Sequence, residues 1–351
     1  MRSLLKHPFV IRMLHWEYWS STLIYLPLYP YWLWLSIRAR SFFFLTAANP
    51  AIRNGGFIME RKTDVYNLLP THLYPTTVLI QNGTDADEAL NAMQQAGITF
   101  PIIAKPDIGE RGLGVKKILN RDQLCDYAAR MPVPWLIQEF VPWPHEAGIF
   151  YYRLPGTDTG HITGIVNKSP VCVTGDGTTA IADLVKKHDR YILQWQQIAT
   201  LCADKLHTIP ADGETVILLP YGNHSRGSMF TDETFRVTQK LTDTIHRICS
   251  QIPEFYYGRL DIRFDSWEAL ERGEDISIIE VNGSGSEPTH IYDPKHSIFF
   301  AWREIIKHWK ILYTISSMNN KKGVPYLSLS QGRKEVASFR EIDALLSVRV
   351  W

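Results

Sequence analysis

The chain has 351 residues, 45% hydrophobic and 21% charged, an ordinary globular composition that excludes a disordered or collagen-like polymer and leaves room for two or three closely packed subdomains. Its 37 basic and 36 acidic side chains give a formal charge of +1 with no long single-sign run, so the electrostatic footprint of a nucleic-acid binder is missing. Cys125, Cys172, Cys202 and Cys249 are scattered without C-x-x-C spacing, which indicates neither a zinc site nor a disulfide framework and leads us to expect a reduced, cytoplasmic compartment.

Residues 1–45 are dense in Trp, Tyr and Leu, as in "HWEYWSSTLIYLPLYPYWLWLSIRARSFFFL". Pro27 and Pro30 interrupt the stretch and Arg38 and Arg40 close it, so it lacks the roughly 20 clean apolar residues of a membrane span. No small-residue cleavage site follows, as a signal peptide would require. Aromatic rings flanked by arginines suit peripheral contact with a membrane, here its inner face, where an amphipathic segment lies in the headgroup layer. Packing on the protein's own surface, or on a second subunit of a homodimer, suits them as well.

Further along, "SFFFLTAANPAIRNGG" reads as a buried strand ending in a turn at Asn49, Pro50 and the Gly55-Gly56 pair. "ERKTDVYNLLPTHL" reads as a short helix and "YPTTVLI" as a strand. "DADEALNAMQQAG" is an amphipathic helix capped by Thr84 or Asp85 and stopped by Gly97. A strand over 101–105, a glycine loop, a strand over 115–119, a helix over 121–131 and a strand over 135–140 follow. Then come "GHITGIVNKSP", a loop "TGDGTTAIADLV" entering a helix, a helix over about 232–251, the strands "GRLDIRFD" and "DISIIEVNG", and a helix over about 298–315. The last 30 residues hold a basic, glycine-broken stretch with one short helix. The class is α+β, with small sheets and helices interleaved.

Two places carry chemistry. In "AKPDIGERGLGV" Lys105 closes an apolar run and Gly109, Gly112 and Gly114 follow, a spacing that lets backbone amides turn inward around a phosphate. A plain β-turn explains the loop equally well. It is neither a P-loop, a dinucleotide fingerprint nor a kinase loop, because Gly-Lys-Ser/Thr, the fingerprint spacing and His-Arg-Asp are all missing. A lysine ending Ile102-Ile103-Ala104 should be partly buried, which is costly unless an anion meets it. Asp107 is one such anion, and phosphate oxygens brought by the loop are the other.

The second place is a pair of strands. Alternation puts Arg259 and Asp261 on one face of "GRLDIRFD", and Glu280 and Asn282 on one face of "IIEVNG". The segment 265–275 is short enough for a hairpin that sets the two side by side. Two carboxylates and an amide oxygen then converge beside an arginine, a hard-oxygen set that suits Mg²⁺. A solvated arginine–carboxylate pair is the alternative, against which Leu260, Ile262, Ile278 and Ile279 argue for burial.

The order of lysine, glycine loop, hinge strand and then Asp…Glu-x-Asn resembles the ATP-grasp superfamily, in particular the D-alanine–D-alanine ligase and glutathione-synthetase-like carboxylate–amine ligases, over residues 56–294. The resemblance implies an ATP-grasp fold: two α+β subdomains, 100–142 and 143–318, clasping ATP, after a shortened region at 46–99 and before a tail at 319–351. It implies that Lys62 and Lys105 contact phosphates, that the loop Gly109, Gly112, Gly114 closes over them, and that Gln138, Glu139, Phe140 and Val141 hold adenine. Glu146 would bind the ribose hydroxyls, unless it is simply a surface glutamate. Asp261, Glu280 and Asn282 would ligate two Mg²⁺ ions, with Mn²⁺ a workable substitute, and Lys168 or Arg226 would stand near the γ-phosphate. Arg259, with the backbone amides near Ser284 and Gly285, would stabilise the oxyanion as small-molecule carboxylate and amine substrates join through an acyl phosphate.

Two other readings stay open: a phosphotransferase acting on a hydroxyl, and a nucleotide-binding, membrane-associated scaffold without turnover. Only one strand and a glycine pair precede Lys62, less than the family carries there, so acceptor recognition is expected in the N-terminal aromatic segment, the C-terminal tail or a partner. Glu287 and His290, just past the metal ligands, suit either a substrate amine or a structural turn.

Overall fold

The computed structural model describes residues 6–349 except 111, 220, 221, 223, 225 and 226, with side chains to 347. Strands β1 (Thr77–Ile80), β2 (Ile102–Pro106), β3 (Lys116–Ile118) and β4 (Trp135–Glu139) form an antiparallel sheet ordered β1-β4-β2-β3. The helices Ala86–Gln95 and Arg121–Arg130 bury Ala89, Met93, Leu124 and Tyr127 against it. Both helices start on side-chain caps, Asp85 accepting from Asp87 and Glu88 amides and Asn120 from the Gln123 amide, which satisfies otherwise orphaned donors. Alternation along β2 sends Ile102 and Ala104 into this core and leaves Ile103 and Lys105 on the opposite, open face.

Strands β5 (His145–Arg153), β6 (Gly160–Ser169), β9 (Met229–Asp232), β10 (Tyr257–Phe264) and β11 (Ile276–Asn282) make a second antiparallel sheet ordered β11-β10-β5-β6-β9, and β7 (Val171–Thr174) pairs with β8 (Thr215–Leu219) in a small third one. The larger sheet is covered on both faces. Ile149 and Tyr151 join the helix Gln239–Ser250 and the short helix Lys62–Tyr66 in one core, and Phe150 between them packs with Leu312 and Ile315 of the long helix Ile298–Lys321 in another. Two buried faces explain why these strands read as near-continuous apolar runs.

Four expectations are corrected. The run at 42–45 is no strand: Phe44–Ala47 is a 3-10 turn, and Phe43 makes one isolated bridge to Leu327. Asn49 holds the segment instead, accepting from the Tyr256 and Tyr257 amides and donating to the Gly55 and Tyr257 carbonyls. The helix expected over 232–251 begins only at Gln239, where the Thr238 hydroxyl caps it, after β9 and a 3-10 turn at Thr234–Arg236. The helix expected to end near 315 runs to Lys321. The tail is a 21-residue helix, Leu329–Arg349, whose Leu346 reaches the core of the four-stranded sheet.

The N-terminal aromatic segment folds into the short helices Pro8–Leu14, Ser21–Tyr25 and Tyr29–Ala39. Ile24, Leu28 and Leu35 are buried, Trp32 lies edge-on to Trp309 at 5.0 Å, and the Trp302 indole donates to the Ile24 carbonyl. No helix among the described residues is long and apolar enough to cross a membrane.

Candidate active site

A cleft of ≈ 1130 Å³ is lined by the open face of β2, the loop after it, the end of β4, and β10 and β11 of the larger sheet. Lys105 enters it from β2. Its ammonium donates to the Tyr66 hydroxyl (2.9 Å), Gln138 Oε1 (2.8 Å) and the Ile279 carbonyl (3.0 Å), all neutral acceptors. Burial lowers its pKa to about 8, although Glu280, Glu146, Asp107 and Asp261 pull the other way. Asp107, the carboxylate offered by the sequence, is taken by Arg61 at 2.6 Å and by the Thr63 amide at 2.9 Å. Lys105 therefore bridges the two sheets next to Glu280 without a carboxylate of its own.

Lys62 opens the helix Lys62–Tyr66 and donates to the Gly109 carbonyl at 2.8 Å, with Glu280 Oε1 3.8 Å away. The glycine loop thus touches the first lysine and follows the second. Gly112 and Gly114 take φ of +69° and +75°, a conformation open to glycine at little cost. At the end of β4, Gln138 turns its side chain to Lys105, Glu139 is exposed, and the Phe140 ring carries Lys117 Nζ 3.7 Å from its centroid. The Val141 carbonyl accepts from Arg263 at 2.8 Å. All four line the cleft.

The floor is the expected β10–β11 hairpin, its register placing Arg259 opposite Asn282 and Asp261 opposite Glu280, with a helix Trp267–Arg272 in the connection. Arg259 grips Asp261 with Nε (2.9 Å) and Nη2 (3.2 Å), and Lys168 reaches the same carboxylate at 2.9 Å. Burial would push the Asp261 pKa up; Arg259 and Lys168 outweigh it and hold it at about 2. Glu146 is paired with Lys168 and Arg263, each at 3.4 Å, so the acid expected at the ribose is engaged with two cations inside the floor. Glu280 is the more accessible carboxylate, its side chain 34% exposed against 3% for Asp261. Asn282 Nδ2 and Ser284 Oγ are buried with no hydrogen-bond partner, an arrangement that costs free energy unless a ligand completes it.

The amides of Ser284 and Gly285, expected to be free to stabilise an oxyanion, are already engaged. They donate to the Gly55 and Gly56 carbonyls at 3.0 and 2.9 Å, which leaves the Arg259 guanidinium and the Ser284 hydroxyl as donors there. This junction is tight: a Cβ on Gly283 would stand 2.6 Å from Gly55 O and from Gly56 Cα. Glu287 lines the cleft, whereas His290 is buried with Glu304 3.8 Å away and is absent from the lining. Arg226 lies outside the described residues.

Sequence reasoning missed Tyr66, Arg263 and Tyr25. Tyr66 stands one helical turn after Lys62 and Arg263 two residues after Asp261, so the periodicities that found their neighbours could have found them. Tyr25, whose hydroxyl donates to Glu287, carried no such signal, because its partner is 262 positions away.

No family model matches the chain. It is 26% identical over 204 residues to the glutathione biosynthesis bifunctional protein GshAB of Desulfotalea psychrophila, a match covering 52% of this chain and 25% of that protein. The chain thus spans about a quarter of the length of the curated relative. Among solved structures it is similar to a bifunctional glutathione synthetase from Pasteurella multocida (17% identity, TM-score 0.40, 74% of this chain and 38% of the other). It is also similar to a D-alanine–D-alanine ligase from Bacillus anthracis (13% identity, TM-score 0.44, 78% and 72%).

Proposed function

We propose that the chain is an ATP-dependent carboxylate–amine ligase of the ATP-grasp kind, making an amide bond through an acyl phosphate. The observation that carries this reading is Lys105, a buried ammonium held by neutral acceptors against β11, one residue from Glu280 and on the cleft. Such a group calls for an anion from outside the protein. Lys62 and the glycine loop beside it supply the rest of a polyphosphate cradle, and residues 139–141 at the cleft edge offer a place for the base.

The donor set fits magnesium, or manganese: Glu280 gives an accessible carboxylate, Asn282 an amide whose other end lacks a partner, and Asp261 a carboxylate already shared with Arg259 and Lys168. Ions bound there would offset charge on the transferring phosphoryl group. In the first step a substrate carboxylate oxygen bonds the γ-phosphorus and ADP leaves. An amine nitrogen then bonds the acyl carbon, loses its proton, and inorganic phosphate leaves. Lys62 and Lys105 hold the phosphate charge. Arg259, with the Ser284 hydroxyl, faces the carbonyl oxygen as it becomes an oxyanion, where one well-placed donor contributes about 3 kcal/mol.

A screen of amino acids and dipeptides for acceptor-dependent ADP formation tests the reading, with phosphate expected free in solution. Phosphate found on a hydroxyl product would make the chain a phosphotransferase, and nucleotide binding without turnover would make it a scaffold. Glu280→Ala should lower ADP formation by roughly a hundredfold or more, the consequence of losing several kcal/mol of charge stabilisation; undiminished turnover would remove the reading.

A further inference from the structure

Beyond Arg259 the cleft continues into a region that the N-terminal segment builds. Glu287 stands there half-buried, its carboxylate accepting from the Tyr25 hydroxyl and, at 3.2 Å, from the Tyr292 hydroxyl. Arg259 reaches the Glu287 backbone carbonyl at 3.3 Å, while its Nε and Nη2 go to Asp261. On the floor, by contrast, Asp261 and Glu146 pair with Lys168, and Glu280 with Lys62. Glu287 makes no ion pair among the described residues. The nearest charge is the Arg259 guanidinium, which attracts Glu287 electrostatically but spends its Nε and Nη2 on Asp261. A carboxylate held directly by two phenols, with no described cation within 4.0 Å, can take a cation from a ligand. Burial, and then the Glu287 charge, push the Tyr25 pKa well up, so the phenol keeps its proton and remains a donor.

From Tyr25 a continuous line of rings runs along the cleft wall. Tyr25 stacks on Trp309 at 5.9 Å, Trp309 meets Trp32 at 5.0 Å, Trp32 meets Phe42 at 6.5 Å, Phe42 meets Phe43 at 5.3 Å, and Phe43 meets Phe57 at 6.0 Å. All six line the cleft. At the far end the Phe57 backbone packs closely on Gly285, which also lines the cleft. The wall offers a substrate apolar surface and little hydrogen bonding, while Glu287 offers one charge at its edge.

We propose that this region is the subsite of the amine substrate, and that it takes a primary ammonium on Glu287 with an apolar or aromatic body laid along the Tyr25-to-Phe57 wall. The chemical class is a hydrophobic amine rather than a small polar amino acid. The inference rests on the ligase reading for the identity of the site, but its binding chemistry can be measured without nucleotide.

Octylamine, 1-octanol and ethylamine serve as probes, titrated calorimetrically into the full-length protein with no ATP present. Octylamine should bind at least tenfold more tightly than either of the others, because each lacks one of the two features. Glu287→Gln should weaken octylamine at least tenfold and leave octanol where it was, and Tyr25→Phe, which keeps the ring and loses the donor, should weaken octylamine several-fold. Circular dichroism confirms the fold of each variant, and if Glu287→Gln does not fold, Tyr25→Phe decides. Equal affinities for octylamine and octanol, or for octylamine and ethylamine, would overturn the proposal, as would octylamine binding unchanged in both variants. Failure to bind ATP in a separate titration would strike the ligase reading and leave these results standing.

Discussion

Lys105 makes a prediction because its direct acceptors in the free protein are all neutral, and burial outweighs the pull of the carboxylates around it. Its pKa is about 8 against 10.5 for an ordinary lysine. The cost of burying the ammonium is therefore fully present below pH 8 and disappears as pH rises toward 10.5, so its contribution to stability improves with pH across that window. A polyphosphate alongside would restore the charged form. Nucleotide binding near pH 9 should take up close to one proton per site, read by calorimetry as a binding enthalpy that changes between buffers of different ionisation enthalpy, and Lys105→Met should abolish the difference. The same enthalpy in both buffers would mean that no phosphate meets this lysine. The floor of this cleft was legible because it follows strand alternation: Arg259 and Asp261, and Glu280 and Asn282, each share a face. What could not be read was how charges pair once strands meet. Lys168 lies 93 positions from Asp261 along the chain, and only β5 and β6 beside β10 bring the two to 2.9 Å.

Among the elements, the hairpin of β10 and β11 was visible in the sequence because two alternating strands are joined by a short connection, and the helix Ala86–Gln95 was visible from its Asp85 cap, whereas the Thr238 cap was overlooked and its helix placed too early. The Phe44–Ala47 turn was not, since a short buried apolar run has no period to tell strand from helix. The tail helix was hidden by Gly332, which stands inside it because the Phe43 ring occupies the space a side chain would need: a Cβ there would lie 2.2 Å from Phe43 Cε2. The junction of the Gly55-Gly56 turn with Gly283 is tight in the same way but against backbone, which cannot swing aside. Gly283→Ala should lose about 1–3 kcal/mol, the usual penalty of overpacking, seen as a lower urea midpoint at unchanged m-value. Gly83→Ala, at φ +82° with nothing within 4 Å, carries conformational strain alone and is the comparison. A midpoint for Gly283→Ala no lower than that of Gly83→Ala would show that the junction yields.

At the scale of the whole molecule the N-terminal segment faces two ways. One side buries Ile24, Leu28 and Leu35 and contributes Tyr25 and Trp32 to the cleft; removing residues 1–40 would therefore open the cleft as well as change the surface. The other side exposes Leu23, Leu26, Leu33, Trp34 and Ile37. Their spacing of three, seven, one and three positions along the helical run from Ser21–Tyr25 through Tyr29–Ala39 repeats on one stripe. Arg38, 4.9 Å from the Trp34 ring, and Arg40 stand exposed at its end. A stripe of this kind beside arginines and tryptophan suits an anionic bilayer surface, and a hydrophobic amine for the neighbouring subsite would be concentrated there. We expect the protein to sediment with vesicles containing phosphatidylglycerol and to bind phosphatidylcholine vesicles less. Leu33→Glu combined with Ile37→Glu should reduce the bound fraction at least tenfold, since burying each side chain is worth roughly 1.5–3 kcal/mol. Because both residues point away from the cleft lining, octylamine binding in solution should not change. If the stripe instead covers a second copy of the chain, the unsubstituted protein will sediment as a dimer without lipid and the double variant as a monomer, and vesicle binding that is equal for the two proteins removes the bilayer assignment.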